Sequence, residues 1–345
     1  MKDKLITILK VVISLGLMAG LLYWFLSNPD RRVALLDTLT TANLWYLALA
    51  LVFFVIAVIT NAIKWYILLR AQGIPVPLGA VTNYMFVGFF FNNFLPSNVG
   101  GDVMRGFGLA RYTERSAEAA VSVVVDRIIG TLAFMFTAVV AALVAVNFVF
   151  TGETATNQAL TNSLSQIEWV AVMGMVFIMT IFAVMLSHRL RQLMGKLFAL
   201  QFLKPLQPLY QRLSDAFGAY RYRYGALLLA FGVGITTALL TGLVDIAIVA
   251  GLHGDIAPIY IFLLNPIIAV ALIVPISIGG LGTGSVLYIG FYGLVGVPYE
   301  LAFALSLVKQ AVIYLGSLPG GGMLWLRRRE KKTTDVVMVE TNLSS

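Results

Sequence analysis

Residues 5–26, 44–69, 117–150, 225–250 and 299–326 are long, almost purely apolar runs, and nothing else in the chain narrows its fold as much. An α-helix needs about 20 apolar residues to cross a bilayer. Hydrocarbon offers backbone N–H and C=O groups no outside partner, so a spanning segment must satisfy them internally. The runs are continuous and do not alternate with period two, which excludes a β-barrel. Shorter apolar runs at 78–95, 168–187, 258–276 and 286–295 add further membrane segments. Only 12% of residues are charged, about half the share of a soluble globular chain. The sequence therefore predicts an all-α, polytopic transmembrane helical bundle: one domain over residues 1–326, followed by a basic, disordered tail at 327–345.

The cations order these segments. Lys and Arg gather at the ends of the runs, where they favour the anionic cytoplasmic face, so the net charge of +8 does not call for a nucleic acid. No Lys or Arg occurs from Ile128 to His188, and the polar loop 151–167 is expected outside. None occurs between Arg223 and Lys309 either. The stretch 189–223 carries seven cations and one acid, with Leu190, Leu193, Leu197 and Leu200 at helical spacing. That pattern predicts an interfacial helix lying on the inner leaflet and stopped by Pro205 and Pro208. Lys64, Trp65, Tyr66 and Arg70 close the second run at a membrane interface. Ser27-Asn28-Pro29 ends the first run as a helix stop; with no cleavage pattern after it, that run is expected to be a retained anchor. Both termini are expected in the cytoplasm, and the whole in the inner or plasma membrane.

Against this background, Asn92-Asn93-Phe94-Leu95-Pro96-Ser97-Asn98-Val99-Gly100-Gly101-Asp102-Val103-Met104-Arg105 is out of place. It is polar and broken, yet it follows directly on an apolar run. Backbone of this kind persists at membrane depth only when buried in protein or lining a wet cavity. A second segment matches it: Pro96-Ser97-Asn98-Val99-Gly100-Gly101 and Pro275-Ile276-Ser277-Ile278-Gly279-Gly280 both read Pro-x-x-aliphatic-Gly-Gly. Downstream, Ala120-Val121-Ser122-Val123-Val124 corresponds to Ala304-Leu305-Ser306-Leu307-Val308. The charge map places the two units, about 78–150 and 258–326, in opposite orientations. Inverted repeats with interrupted helices are the architecture of alternating-access transporters, with the substrate near the midplane. Pro96 and Pro275 are the expected hinges, and either re-entrant hairpins or tilted spans would satisfy the parity.

Several residues could bind a polar headgroup. A helix restarting at Gly100 or Gly101 would offer free N–H groups to an anion, and Arg105 lies one turn on, where it could grip a phosphate oxygen. Asp102 could cap that helix or pair with Arg105 or Arg127. Asp126 and Arg127 lie about 14 Å into their run at ~1.5 Å per residue, and charges at such depth mark a pathway or a buried network. Lys309 is their counterpart in the second unit, with Gln310 beside it; Gly279 and Gly280 mirror Gly100 and Gly101. Asn93 lines the approach. Asp245 and Asn265 read as interhelical hydrogen-bonding residues. With no cysteine, two distant His and no nucleophile elbow or phosphate loop, neither a metal, a cofactor nor an enzymatic reaction is expected.

Asn92 to Asp102 with Arg105, then Asp126-Arg127, then Pro275 to Gly282 resemble the signature of a flippase-like membrane family, typified by the transmembrane region of lysylphosphatidylglycerol synthases. The resemblance covers nearly the whole chain and implies translocation of a phospholipid or other polar-headgroup lipid, polyprenyl-phosphate-linked lipids included, between leaflets. That family often continues the second motif with Arg-Glu, where this chain has Gly284-Ser285. No aminoacyl-transferase domain follows Leu326, so lipid aminoacylation by this chain alone is not expected. The alternatives are a non-transporting scaffold or an embedded lipid transferase, working with a separately encoded synthase or glycosyltransferase.

Overall fold

The computed structural model describes residues 2–95, 100–145, 169, 172–180, 182–183, 187, 207–274 and 276–343. Pro96, Pro275, the loop 151–167 and the leucine-bearing stretch 189–206 lie outside the described residues. Every regular element among the described residues is a helix. In chain order they are α1 (Lys2–Ser27), α2 (Pro29–Thr40), α3 (Leu44–Ala71), α4 (Leu78–Phe94), α5 (Gly100–Thr113), α6 (Ser116–Val144), α7 (Gln207–Gly218), α8 (Tyr224–Gly251), α9 (Pro258–Ala271), α10 (Thr283–Gly293) and α11 (Tyr299–Leu343). Among these residues five helices are long and apolar enough to cross a membrane: Leu9–Ser27, Leu44–Ala71, Ser116–Val144, Tyr224–Gly251 and Tyr299–Met323. The chain is thus a multi-pass helical membrane protein.

Asn28 ends α1, but it also starts α2, which the sequence reading did not anticipate. Its side-chain oxygen accepts the N–H groups of Asp30 and Arg31 at 2.9 and 3.2 Å, and Pro29 takes the first helical position, where its missing N–H costs nothing. The Arg31 guanidinium then folds back to 3.9 Å from the Trp24 ring centroid. Pro208, expected to stop a helix, stands near the start of α7. The end of α7 docks on α3 and α6: Ala216, Phe217 and Tyr220 are buried with Leu68, Val121 and Ile129, and the Tyr220 hydroxyl donates to Gln72 Oε1 at 3.2 Å.

Helices α3 and α8 form the most extensive pairing. Around them α4 packs on α11, and α9 packs on α6. Contacts this close in a membrane need small residues at the crossing. Gly320 on α11 is such a place, since a Cβ there would stand 2.3 Å from the Phe86 carbonyl oxygen of α4. The turns that leave α3 and α8 are built alike. After α3 the Ile74 N–H reaches Leu69 O at 3.0 Å, and after α8 the Gly254 N–H reaches Val249 O at 2.9 Å. The residue before each has positive φ, Gly73 at 76° and His253 at 53°. A left-handed conformation costs a side chain bearing a Cβ roughly 1–2 kcal/mol. His253→Gly should therefore stabilise the protein by about 1 kcal/mol, seen as a raised thermal midpoint in detergent.

Candidate functional site: a charged cavity between the two motifs

Helix α5 begins at Gly100, and it lies close against α4 because neither helix has a side chain at the crossing. A Cβ on Gly101 would stand 1.9 Å from Gly88 O, while the Gly101 N–H donates to Asn92 Oδ1 at 2.7 Å. That N–H is committed to Asn92, so Gly101 serves close packing in this conformation. The approach carries Asp102 and Arg105 inward on α5, to meet Asp126 and Arg127 on α6.

The four residues form one ion network. Arg105 Nε donates to Asp102 Oδ1 at 3.0 Å, and Arg105 Nη2 to Asp126 Oδ2 at 2.8 Å. Arg127 Nε bonds Asp102 Oδ2. The guanidinium of Arg105 lies 4.7 Å from the Trp65 ring centroid, and the Trp65 indole N–H is fixed by Ser122 Oγ at 3.2 Å. Adjacent helical residues point about 100° apart, which is why Asp126 and Arg127 reach different partners. The side chain of Arg127 is 40% exposed, against 4% for Arg105.

Lys64 corrects the sequence reading. It does not close a run at an interface: its side chain is 5% exposed, and its Nζ lies 3.2 Å from Asp126 Oδ1 and donates to the Asp126 carbonyl. Its depth held the signal. Lys64 stands seven residues, about two turns, before the end of α3, too far inside for a residue that caps a span.

A second cluster assembles across α8, α9, α10 and α11. Lys309 Nζ donates to Asp245 Oδ2 at 2.8 Å and Asn265 Oδ1 at 2.7 Å, and bonds the Tyr288 hydroxyl. Asp245 is fully buried. Lys309 is placed within this group, its three ammonium protons matched by three oxygens. Asp245 and Asn265 are indeed interhelical partners, while Tyr288 was not singled out. A Tyr in an apolar run, near Phe291 and Tyr292, gives no pattern to find it by.

Both clusters border one cavity of about 570 Å³, lined by Lys64, Asp102, Arg105 and Arg127 on one side and by Tyr288 and Lys309 on the other. Gly279 and Gly280 line it too, with φ of 58° and 76°. A Cβ on Gly279 would stand 3.0 Å from Asn93 O, so the two motifs that match in sequence touch in space. Asn93 itself is buried and donates to Ser317 Oγ of α11 at 2.7 Å. Helix α1 holds the second motif in place, the Ser14 hydroxyl accepting the Ile278 N–H at 2.8 Å. No group of three or more His, Cys, Asp or Glu with metal-site geometry occurs among the described residues.

These features define a multi-pass helical membrane protein with a charged, partly apolar cavity between its helices. The profile of the lysylphosphatidylglycerol synthase transmembrane region matches residues 8–320, and the chain belongs to that family. It is 33% identical over 105 residues to a UPF0104 membrane protein of Methanothermobacter thermautotrophicus, covering 30% of this chain and 31% of the other. It is 25% identical over 127 residues to a UPF0104 membrane protein of Pyrococcus horikoshii, covering 36% of each. The chain thus spans about a third of the length of the curated relatives it matches. No solved structure matches it.

Proposed function

We propose that this protein is a lipid translocase of the cell membrane that carries a lipid with an anionic phosphate headgroup between leaflets by alternating access. The observation that carries the reading is Arg127. Its guanidinium is held by Asp102 yet 40% of the side chain stays exposed on the wall of a cavity large enough for a headgroup. Arg105 stands behind it, and a planar guanidinium suits phosphate oxygens geometrically. Four cations against three carboxylates in the two clusters leave one net positive charge, which favours a singly charged phosphodiester. The apolar wall, with Phe54, Phe89 and Phe134, suits the acyl region.

Two inverted units give this reading its mechanics: those at about 78–150 and 258–326, each enlarged by the span before it, α3 or α8. Each consists of a span, a hairpin re-entering the membrane (α4–α5 or α9–α10) and a second span. A two-fold relation between them is supported by the reciprocal pairing of α4 with α11 and α9 with α6. The repeated turns support it as well, as do two serines, Ser122 and Ser306, that both donate to the carbonyl three residues back. In this scheme Asp102 and Asp126 orient the arginines, and the units rock about Pro96 and Pro275. Both termini face the cytoplasm.

The test is translocation of fluorescent phosphatidylglycerol in proteoliposomes, read by dithionite quenching. Charge-assisted hydrogen bonds contribute ~1.5–3 kcal/mol each, so Arg105→Ala/Arg127→Ala should fall to the rate of protein-free vesicles. Wild-type rates from that variant would reject the site. A second reading, in which the protein presents lipid to a separately encoded synthase or glycosyltransferase, is favoured by the family's description as a synthase region. Co-purification with such an enzyme, without lipid movement by the isolated protein, is the outcome that reading requires.

A further inference from the structure

The three buried carboxylates of the two clusters are not held alike. Asp126 faces two cations, Lys64 at 3.2 Å and Arg105 at 2.8 Å. Asp102 also faces two, Arg105 and Arg127. Asp245 faces one, Lys309 at 2.8 Å. Its remaining neighbours are neutral: Asn265 from α9 and, from α10, Tyr288, whose hydroxyl donates to Asp245 Oδ2 at 3.1 Å. Tyr292 on α10 stacks on Tyr288 with ring centroids 5.5 Å apart. Asp245 Oδ1 and the Tyr292 hydroxyl are both buried with no hydrogen-bond partner among the described residues; Asp126 Oδ1 has none either, but the Lys64 ammonium faces it at 3.2 Å. Of the helices packed on α8, α3 and α6 bring Lys64 and Asp126, which are engaged with each other. An unbonded carboxylate oxygen in a dry site is costly, and Oδ1 is open to a proton.

We infer that Asp245 is a proton-binding site, and that protonation of its carboxylate is coupled to capture of the anionic headgroup. This rests on the translocase reading. A proton delivered by hydronium adds to Oδ1, leaving water, and Asp245 becomes neutral. Lys309 keeps all its protons but loses Asp245, its one counter-ion among the described residues. Its ammonium already lines the cavity, and the cavity charge rises by one. An anion then binds more tightly, and by linkage the bound anion holds the proton more tightly in return. Proton and monoanionic lipid therefore cross together, with no net charge moved. The first cluster cannot do this as readily, because its two carboxylates share three cations, Lys64, Arg105 and Arg127.

Purified full-length protein in vesicles of phosphatidylcholine with fluorescent phosphatidylglycerol provides the experiment. With a pH gradient of about one unit, one-to-one coupling should enrich the labelled lipid about tenfold in the leaflet facing the alkaline side. A potassium–valinomycin potential should leave that distribution unchanged, although an uncoupled anion would feel about 2.3 kcal/mol per 100 mV. In parallel, a pH-difference infrared spectrum should show a protonated-carboxyl C=O band in the wild type that is absent from Asp245→Asn. Lipid that moves but ignores the pH gradient overturns the coupling and leaves the translocase standing. Absence of the band in the wild type, or its persistence in Asp245→Asn, overturns the proton site. No lipid movement under any condition overturns the translocase reading, and the coupling with it, while the band alone decides whether Asp245 binds a proton.

Discussion

Asp126→Ala should be the most damaging single substitution in this protein. It leaves Lys64 without a counter-ion and removes one of two from Arg105, and both cations are buried, with side chains 5% and 4% exposed. Breaking a buried ion pair from one side costs about 3–5 kcal/mol, because the remaining charge has neither water nor partner. The expected result is a large fall in the thermal midpoint in detergent, or failure to recover monodisperse protein. Removing both partners should cost less. Lys64→Met/Asp126→Leu takes the isolated charge away, and Arg105 retains Asp102 at 3.0 Å. The double variant should therefore be more stable than Asp126→Ala, a non-additivity expected of residues in one network. Equal loss in both would mean that the pair stabilises through packing alone.

Gly101→Ala should have the next largest effect, by a different route. The added methyl would sit 1.9 Å from Gly88 O and 2.6 Å from Asn92 Oδ1. The first contact is with backbone, which no side-chain rotation relieves. Helices α4 and α5 must separate, at about 1–3 kcal/mol or more for overpacking, and Asp102 and Arg105 move with α5. Translocation should be lost even where folded protein survives. Gly290→Ala is the control, since nothing lies within 4 Å of its Cβ position, and it should behave as wild type in both assays.

How far the sequence could be read depended on how locally each feature is encoded. The main spans were legible because hydrocarbon admits only helices, and apolar runs of sufficient length have no other use. Asp102, Arg105, Asp126 and Arg127 stood out for the converse reason, as charges where charge is expensive, and they do form one network. Lys64 was hidden by its neighbours. Beside Trp65, Tyr66 and Arg70 it reads as part of an interfacial belt, and only the packing of α3 on α6 shows it inside. The Asp245–Lys309 pair joins residues 64 positions apart, a pairing no local pattern specifies. Helix α2 lacked a strong apolar face, so its start signal at Asn28-Pro29 was read only as the stop of α1. Gly101 was legible as a place of close approach, but the approaching group is Gly88 of the same protein.

The claim that the Arg105–Arg127 network holds an anionic lipid headgroup is tested most directly by native mass spectrometry of lipid retained on purified protein. Wild-type protein should carry a phosphate-bearing anionic lipid in preference to phosphatidylcholine, and Arg127→Ala, in which Asp102 keeps Arg105 at 3.0 Å as its counter-ion, should lose it while remaining folded. Equal retention of the same lipid by both proteins, or no preference for anionic over zwitterionic lipid in the wild type, would contradict it.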